Sequence, residues 1–86
     1  MNMDSVTLLG LTAGTLTTMS LLPQAIKILR SQSAKDISSG MFVTLVAGLF
    51  LWICYGFVIS SFPVIIANIA SFLLASIILA LKIKFR

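Results

Sequence analysis

Three long apolar stretches, separated by short polar segments, make up most of this chain. They cover about residues 6–29, 40–59 and 63–81 of the 86-residue sequence. A helix needs ~20 residues to cross the hydrocarbon of a bilayer, so each stretch is long enough to span a membrane. The pattern predicts an all-α membrane protein in a single domain, residues 1–86, that is a bundle of three transmembrane helices over about residues 5–29, 40–59 and 63–83.

The two connectors contain residues that commonly begin helices. In the first, Asp36, Ser38 or Ser39 can cap the second helix, because their side chains accept hydrogen bonds from free backbone N–H groups. The second connector, residues 60–63, ends in Pro63, which suits the first turn of a helix because no N–H is needed there. So short a connector makes helices 2 and 3 antiparallel neighbours.

The first apolar stretch contains a proline followed by an amide, Pro23-Gln24. Pro23 has no N–H to donate to the carbonyl of Met19, and its ring crowds that carbonyl. In a membrane such a break is tolerated where neighbouring helices, hydroxyls or water satisfy the freed groups. The pair is either a static kink, since proline is frequent in transmembrane helices, or a hinge. Residue chemistry alone favours neither.

Composition agrees with a membrane protein. Hydrophobic residues make up 59% of the chain and charged residues 9%, whereas a soluble domain has about 45–50% and about 25%. The net charge of +4 comes from six bases and two acids. Because these bases flank the spans, they indicate topology and contact with the lipid bilayer, and we expect no nucleic-acid partner.

The six bases all fall on one side of a three-span protein. They end span 1, lie in the first connector or follow span 3: Lys27, Arg30, Lys35, Lys82, Lys84 and Arg86. Short loops rich in Lys and Arg stay in the cytoplasm. We therefore expect a multi-pass protein of the inner (plasma) membrane, with the N-terminus and its Asp4 outside and the C-terminus in the cytoplasm.

One face of each predicted helix carries small, polar or aromatic residues at helical spacing. These faces are Ala13, Thr17, Ser20 and Gln24 in helix 1, Met41, Leu45, Gly48, Trp52 and Tyr55 in helix 2, and Asn68, Ser71 and Ala75 in helix 3. Gly10 and Gly14 also form a Gly-xxx-Gly pair, which lets another backbone approach closely. Such a pair packs helices within one protomer more often than it defines a dimer.

Trp52 and Asn68 are predicted to lie at matching depths. Trp52 precedes Ser60 by eight residues and Asn68 follows Pro63 by five, so at ~1.5 Å per residue their depths agree within about one turn. An amide facing lipid is costly, so Asn68 faces protein or a water-filled cavity. The simpler interpretation is a helix–helix hydrogen bond. The alternative is a ligand site, where an aromatic ring and an amide together suit the C–H faces and hydroxyls of a sugar.

Three helices cannot surround a solute path, because their axes pack only ~8–10 Å apart. If the chain moves a solute, copies must therefore combine. Copies that share one orientation form a closed pair with its two-fold axis along the membrane normal. The path would follow that axis.

Four motifs in this order resemble a known family. They are Pro23-Gln24, Asp36-Ile37-Ser38, the run from Trp52 to Gly56, and Ala67-Asn68. Over nearly its whole length the chain is similar to the bacterial SemiSWEET sugar transporters, members of the PQ-loop group. The resemblance implies a parallel homodimer of three-helix bundles, with helix 3 packed between helices 1 and 2.

The resemblance also implies where the sugar binds and where the chain bends. It implies that Trp52 and Asn68 of both protomers hold the sugar, with Thr17 and Ser20 as further candidates on the same path. It implies that Pro23 and Gln24 form the hinge for alternating access.

The gates follow from the same resemblance. Met41, with Leu45 one turn on, matches the inner gate, and Tyr55 matches the outer gate. Some relatives add an Arg and an Asp beyond that Tyr, where this chain has Ile59 and Ser61. The outer closure is therefore expected to be apolar or to use hydroxyls.

No ionisable side chain lies deep in any span, whereas proton-coupled carriers place Asp, Glu or His along the path. The sequence therefore predicts passive uniport of mono- or disaccharides, with no ion coupling, cofactor or metal. The alternatives are a PQ-loop-type carrier of another small solute and a non-transporting membrane adaptor subunit. An enzyme is not expected, because a chain with no His, one Cys and acids only outside the spans forms no acid–base pair.

Overall fold

The computed structural model describes residues 5–85, which form three helices in a bundle. The helices are α1 (Ser5–Ser31), α2 (Ser39–Val58) and α3 (Phe62–Phe85). Each is long and apolar enough to cross a membrane, so the predicted fold class is confirmed. Helices α1 and α3 each run two residues further than expected, because their basic last turns remain helical. Asp4 and Arg86 lie outside the described residues.

Side-chain and backbone caps set the helix ends at both connectors. Of the three candidate caps for α2, Ser38 fills the position, and its hydroxyl accepts from the N–H of Met41 at 3.1 Å. At the other end of α2, Ser60 adopts a φ of 54°. The N–H of Ser61 then donates to the carbonyl of Gly56 at 2.9 Å. This left-handed cap reverses the chain within a few residues and sets α2 and α3 side by side.

Helix α3 packs between α1 and α2. It contacts both of them, whereas no Cα atom of α1 lies within 8 Å of a Cα atom of α2 in the described part of the chain. This is the order that the family resemblance implied. It leaves the facing sides of α1 and α2 apart, with α3 as the back wall between them.

Small residues bring α1 close to α3. A Cβ atom on Gly10 would lie 3.3 Å from the Cβ of Pro63, and one on Gly14 would overlap the Cβ of Ala67. Without a side chain at Gly14 the two backbones approach closely. The Gly-xxx-Gly pair therefore packs two helices of the same chain.

The apolar core lies toward one end of the bundle. Its buried members are Leu21, Ala25, Ile28, Ala34, Phe42, Leu49, Ala75 and Ile78. The five described bases, Lys27, Arg30, Lys35, Lys82 and Lys84, lie at the same end, which we call the basic end. There the ammonium of Lys82 donates to the carbonyl of Ala34 at 2.9 Å. This bond ties the first connector to α3 and closes the bundle at the basic end.

Candidate solute-binding site

A hollow that we call the central cleft lies between α1 and α2, against α3. Its volume is about 200 Å³, and among the residues lining it are Ala13, Thr17, Trp52, Val64, Asn68 and Ser71. Three helices therefore contribute to one surface. The matching depth of Trp52 and Asn68 that the sequence predicted is consistent with this arrangement, because both side chains line the same cleft.

The indole of Trp52 does not pack in the core of the protomer. It is 53% exposed, although it lies well inside a membrane-spanning helix. Its nearest aromatic neighbour is Tyr55, whose ring centroid is 5.5 Å away with the planes at 84°. A large amphipathic ring left open at this depth is free to contact a solute or a second subunit.

The amide of Asn68 does not form the helix–helix hydrogen bond that was the simpler interpretation. Its Nδ2 donates to the carbonyl of Val64, one turn earlier in α3, at 2.7 Å. An amide has two N–H donors and one acceptor oxygen. The second N–H and the oxygen have no hydrogen-bond partner among the described residues, so they remain available to a solute in the cleft.

The polar contact between helices is made by Thr18 and Ser71 instead. Their hydroxyl oxygens lie 2.8 Å apart, and the Thr18 hydroxyl also lies 3.4 Å from the carbonyl of Ala67. Ser71 is only 2% exposed. Thr18 was missed in the sequence, although it continues the four-residue spacing of Gly10 and Gly14 and so lies on the helix face that packs against α3.

The two further candidates on α1 differ in position. Thr17 lines the central cleft, and its hydroxyl donates to the carbonyl of Ala13 at 3.0 Å. Ser20 donates to the carbonyl of Thr17 at 2.6 Å and is not among the residues lining the cleft. Both hydroxyl oxygens keep lone pairs that can accept a hydrogen bond.

The proposed gate residues lie along one exposed face of α2. Met41 and Tyr55 are exposed, and Leu45 is half-buried. Gly48 lies between them beside Trp52, on a second hollow of about 320 Å³. A Cβ atom on Gly48 would have no atom within 4 Å apart from its chain neighbours and the adjacent backbone of its own helix. On this face Leu45 packs against the core, whereas Met41 and Tyr55 are open, and the gating roles of these residues remain predictions.

Helix α1 continues through Pro23 without interruption. Gln24 follows it, and the Oε1 atom of its side chain is buried without a hydrogen-bond partner among the described residues. A buried acceptor left unpaired costs about 1–3 kcal/mol. The arrangement therefore combines a missing backbone donor with an unsatisfied side-chain acceptor. The role of Pro23 and Gln24 as a hinge remains a prediction.

The chain is similar to known proteins of one family. The model for the PQ loop repeat matches residues 6–65. A relative named "Sugar transporter SemiSWEET" from Bradyrhizobium diazoefficiens is 44% identical over 80 residues, which is 93% of each chain.

Two solved structures agree with this assignment. A bacterial homologue of SWEET transporters is 42% identical with a TM-score of 0.93, covering 96% of this chain and 100% of that one. SemiSWEET in an inward-open conformation is 38% identical with a TM-score of 0.82, covering 95% of this chain and 88% of that one. The chain belongs to the PQ-loop repeat family, in its SemiSWEET group.

Proposed function

We propose that this protein transports a sugar across the membrane as a parallel homodimer, along a path lined by Trp52 and Asn68 of both copies. The observation that carries the proposal is the central cleft, where an open indole and a partly unsatisfied amide meet inside an apolar bundle. The SemiSWEET relatives are named sugar transporters. They are not enzymes, in agreement with the expectation from the sequence.

The size of the cleft supports a shared site. At about 200 Å³ it is smaller than the ~300–1,000 Å³ of most small-molecule sites. Two clefts that face each other across a two-fold axis double this volume and enclose the solute on both sides. In the pair, the path would be lined by two copies of Trp52 and two copies of Asn68, one from each protomer.

The chemistry of the cleft suits a neutral solute rich in hydroxyls. No charged residue is among those lining it. The indole offers a flat face to the C–H groups of a sugar ring, while Asn68 offers a donor and an acceptor to hydroxyls. An organic acid would lack a cation to pair with, because the bases of the described chain lie at the basic end.

We propose passive uniport by alternating access. None of the three helices contains Asp, Glu or His, so the path lacks the groups that bind a coupling proton. The bundles would rock about Pro23 and Gln24, closing at Met41 and Leu45 on one side and at Tyr55 on the other. By the positive-inside rule the basic end faces the cytoplasm of the inner membrane.

A panel of radiolabelled mono- and disaccharides tests this function in proteoliposomes. We expect at least one sugar to enter down its gradient, to exchange with unlabelled sugar on the other side, and to enter at a rate that a pH gradient does not change. Uptake driven by a pH gradient would contradict uniport. The absence of uptake of every sugar, with a dimer intact in the membrane, would contradict sugar transport.

A further inference from the structure

A groove on the surface of α1 lies at the basic end of the bundle, apart from the central cleft. We call it the inner groove. It is shallow and open, and it is lined by Pro23, Ile26, Lys27, Arg30 and Ser31. The part of the groove near Pro23 and Ile26 is apolar, and the part nearer the end of α1 carries two cations within one helical turn. Neither the central cleft nor the proposed gates include its two bases.

The inner groove faces away from the rest of the protomer. Arg30 follows the buried Leu21 by nine residues, which is two and a half turns of helix, so the two side chains point in opposite directions. Ile26 follows Thr17, on the central cleft, by the same interval. The side chains that line the groove therefore point away from both α3 and the central cleft.

The length of α1 places the groove across the boundary of the bilayer. The helix has 27 residues and is therefore ~40 Å long, about 10 Å more than the hydrocarbon core. Lys27, Arg30 and Ser31 lie in its last two turns and reach the headgroup region. Pro23 lies about one turn deeper than Lys27, and Ile26 about one turn deeper than Arg30, beside the acyl chains.

The two cations are weakly engaged within the chain. Lys27 lies 4.0 Å from a carboxylate oxygen of Asp36, and both side chains are 75% exposed, so their ion pair is weak. Arg30 has no hydrogen bond or ion pair with another residue in 5–85. A guanidinium is well suited to a phosphate, which it can bind through two parallel N–H groups.

From this placement we propose that the inner groove binds one anionic phospholipid. The phosphate lies between Lys27 and Arg30, and an acyl chain follows Pro23 and Ile26. Bases at the membrane surface attract anionic lipids generally, but here two bases and an apolar strip share one face of one helix.

The test measures phosphatidylglycerol binding to the purified protein in neutral detergent, with the unfolding temperature read from the fluorescence of the single tryptophan. Phosphatidylglycerol should raise the unfolding temperature with saturation, because a ligand bound only by the folded protein stabilises it. Phosphatidylcholine should not. Added salt should weaken the effect, because it screens the phosphate from the bases.

Two double variants with equal charge locate the site. Replacing Lys27 and Arg30 by Gln should raise the half-saturating concentration of phosphatidylglycerol by roughly 25-fold, from about fivefold per base. Replacing Lys35 and Lys84 by Gln removes the same charge outside the groove and should change it far less. Asp36→Asn, which breaks the ion pair and keeps both bases, should bind the lipid at least as tightly as the unchanged protein.

Three results would overturn the proposal. Equal loss of lipid binding in both double variants would mean diffuse attraction rather than a site. Equal stabilisation by soluble glycerol phosphate would mean that no lipid is required. Dissociation of the dimer by the Lys27/Arg30 variant in phosphatidylcholine would make the groove a subunit contact. None of these readouts uses sugar uptake, so failure here is separate from failure of the transport function.

Discussion

At the scale of single residues, glycine has two different uses in this protein. Gly14 is needed because a side chain there would overlap Ala67 of α3, whereas Gly48 has open space around it. Gly within a helix costs about 1 kcal/mol relative to Ala. Gly48 is therefore not required by packing within the protomer, and it lies beside Trp52 on an open hollow.

Alanine at these two positions should have opposite effects on stability. Gly14→Ala should lower the free energy of unfolding by about 1–3 kcal/mol, as overpacked cores do, because α1 must move away from α3. Gly48→Ala should leave it unchanged or raise it by up to ~1 kcal/mol. Unfolding in detergent, followed by Trp52 fluorescence, measures both. Equal destabilisation by the two variants would mean that the open space beside Gly48 is filled within the protomer.

The hydroxyl pair of Thr18 and Ser71 should contribute modestly to the α1–α3 contact. A double-mutant cycle with Thr18→Val and Ser71→Ala should give a coupling energy of about 0.6 kcal/mol, the average for hydrogen bonds between membrane helices. Thr15→Val is the control, because the Thr15 hydroxyl donates to Leu11 in its own helix and should not couple to Ser71. A coupling of zero between Thr18 and Ser71 would contradict the bond.

At the scale of the elements, α1 combines two tasks. Its first half packs on α3 through small residues, and its second half joins the apolar core at the basic end. Pro23 and Gln24 lie within the second half, between the core residues Leu21 and Ala25. A proline there removes one hydrogen bond from the helix, so we expect α1 to bend most easily at this point.

Pro23→Ala should slow sugar exchange several-fold and leave equilibrium sugar binding unchanged, because the helix gains a hydrogen bond that resists bending. Exchange is measured in proteoliposomes and binding from Trp52 fluorescence. A normal sugar exchange rate in Pro23→Ala would contradict the proposed hinge.

The elements were largely predictable from the sequence, because apolar length and capping residues are local signals. The three spans, the cap near Ser38 and the place of Pro63 follow from such signals. The partners of polar side chains were not predictable. The interpretation of Asn68 as a helix–helix bond fails because its amide reaches its own helix at Val64, and Thr18 was missed because its role depends on how closely Gly14 lets α3 approach.

At the scale of the whole molecule, the protomer is closed at the basic end and open around Trp52. The core and the Lys82–Ala34 bond hold the basic end together. At the level of the cleft, α1 and α2 contact α3 but not each other through the backbone. Polar groups such as the Asn68 amide are unfavourable against lipid, and in the proposed homodimer a second copy would cover this open seam and leave a polar path at its centre.

The most direct test of a sugar path shared by two copies is uptake by variants of the cleft. In proteoliposomes, Trp52→Ala and Asn68→Ala should each abolish uptake while the dimer persists, because each change removes two contacts from the path. Phe57→Ala removes another exposed aromatic ring from α2, outside the cleft, and should retain uptake. Normal uptake by Trp52→Ala or Asn68→Ala would contradict the account.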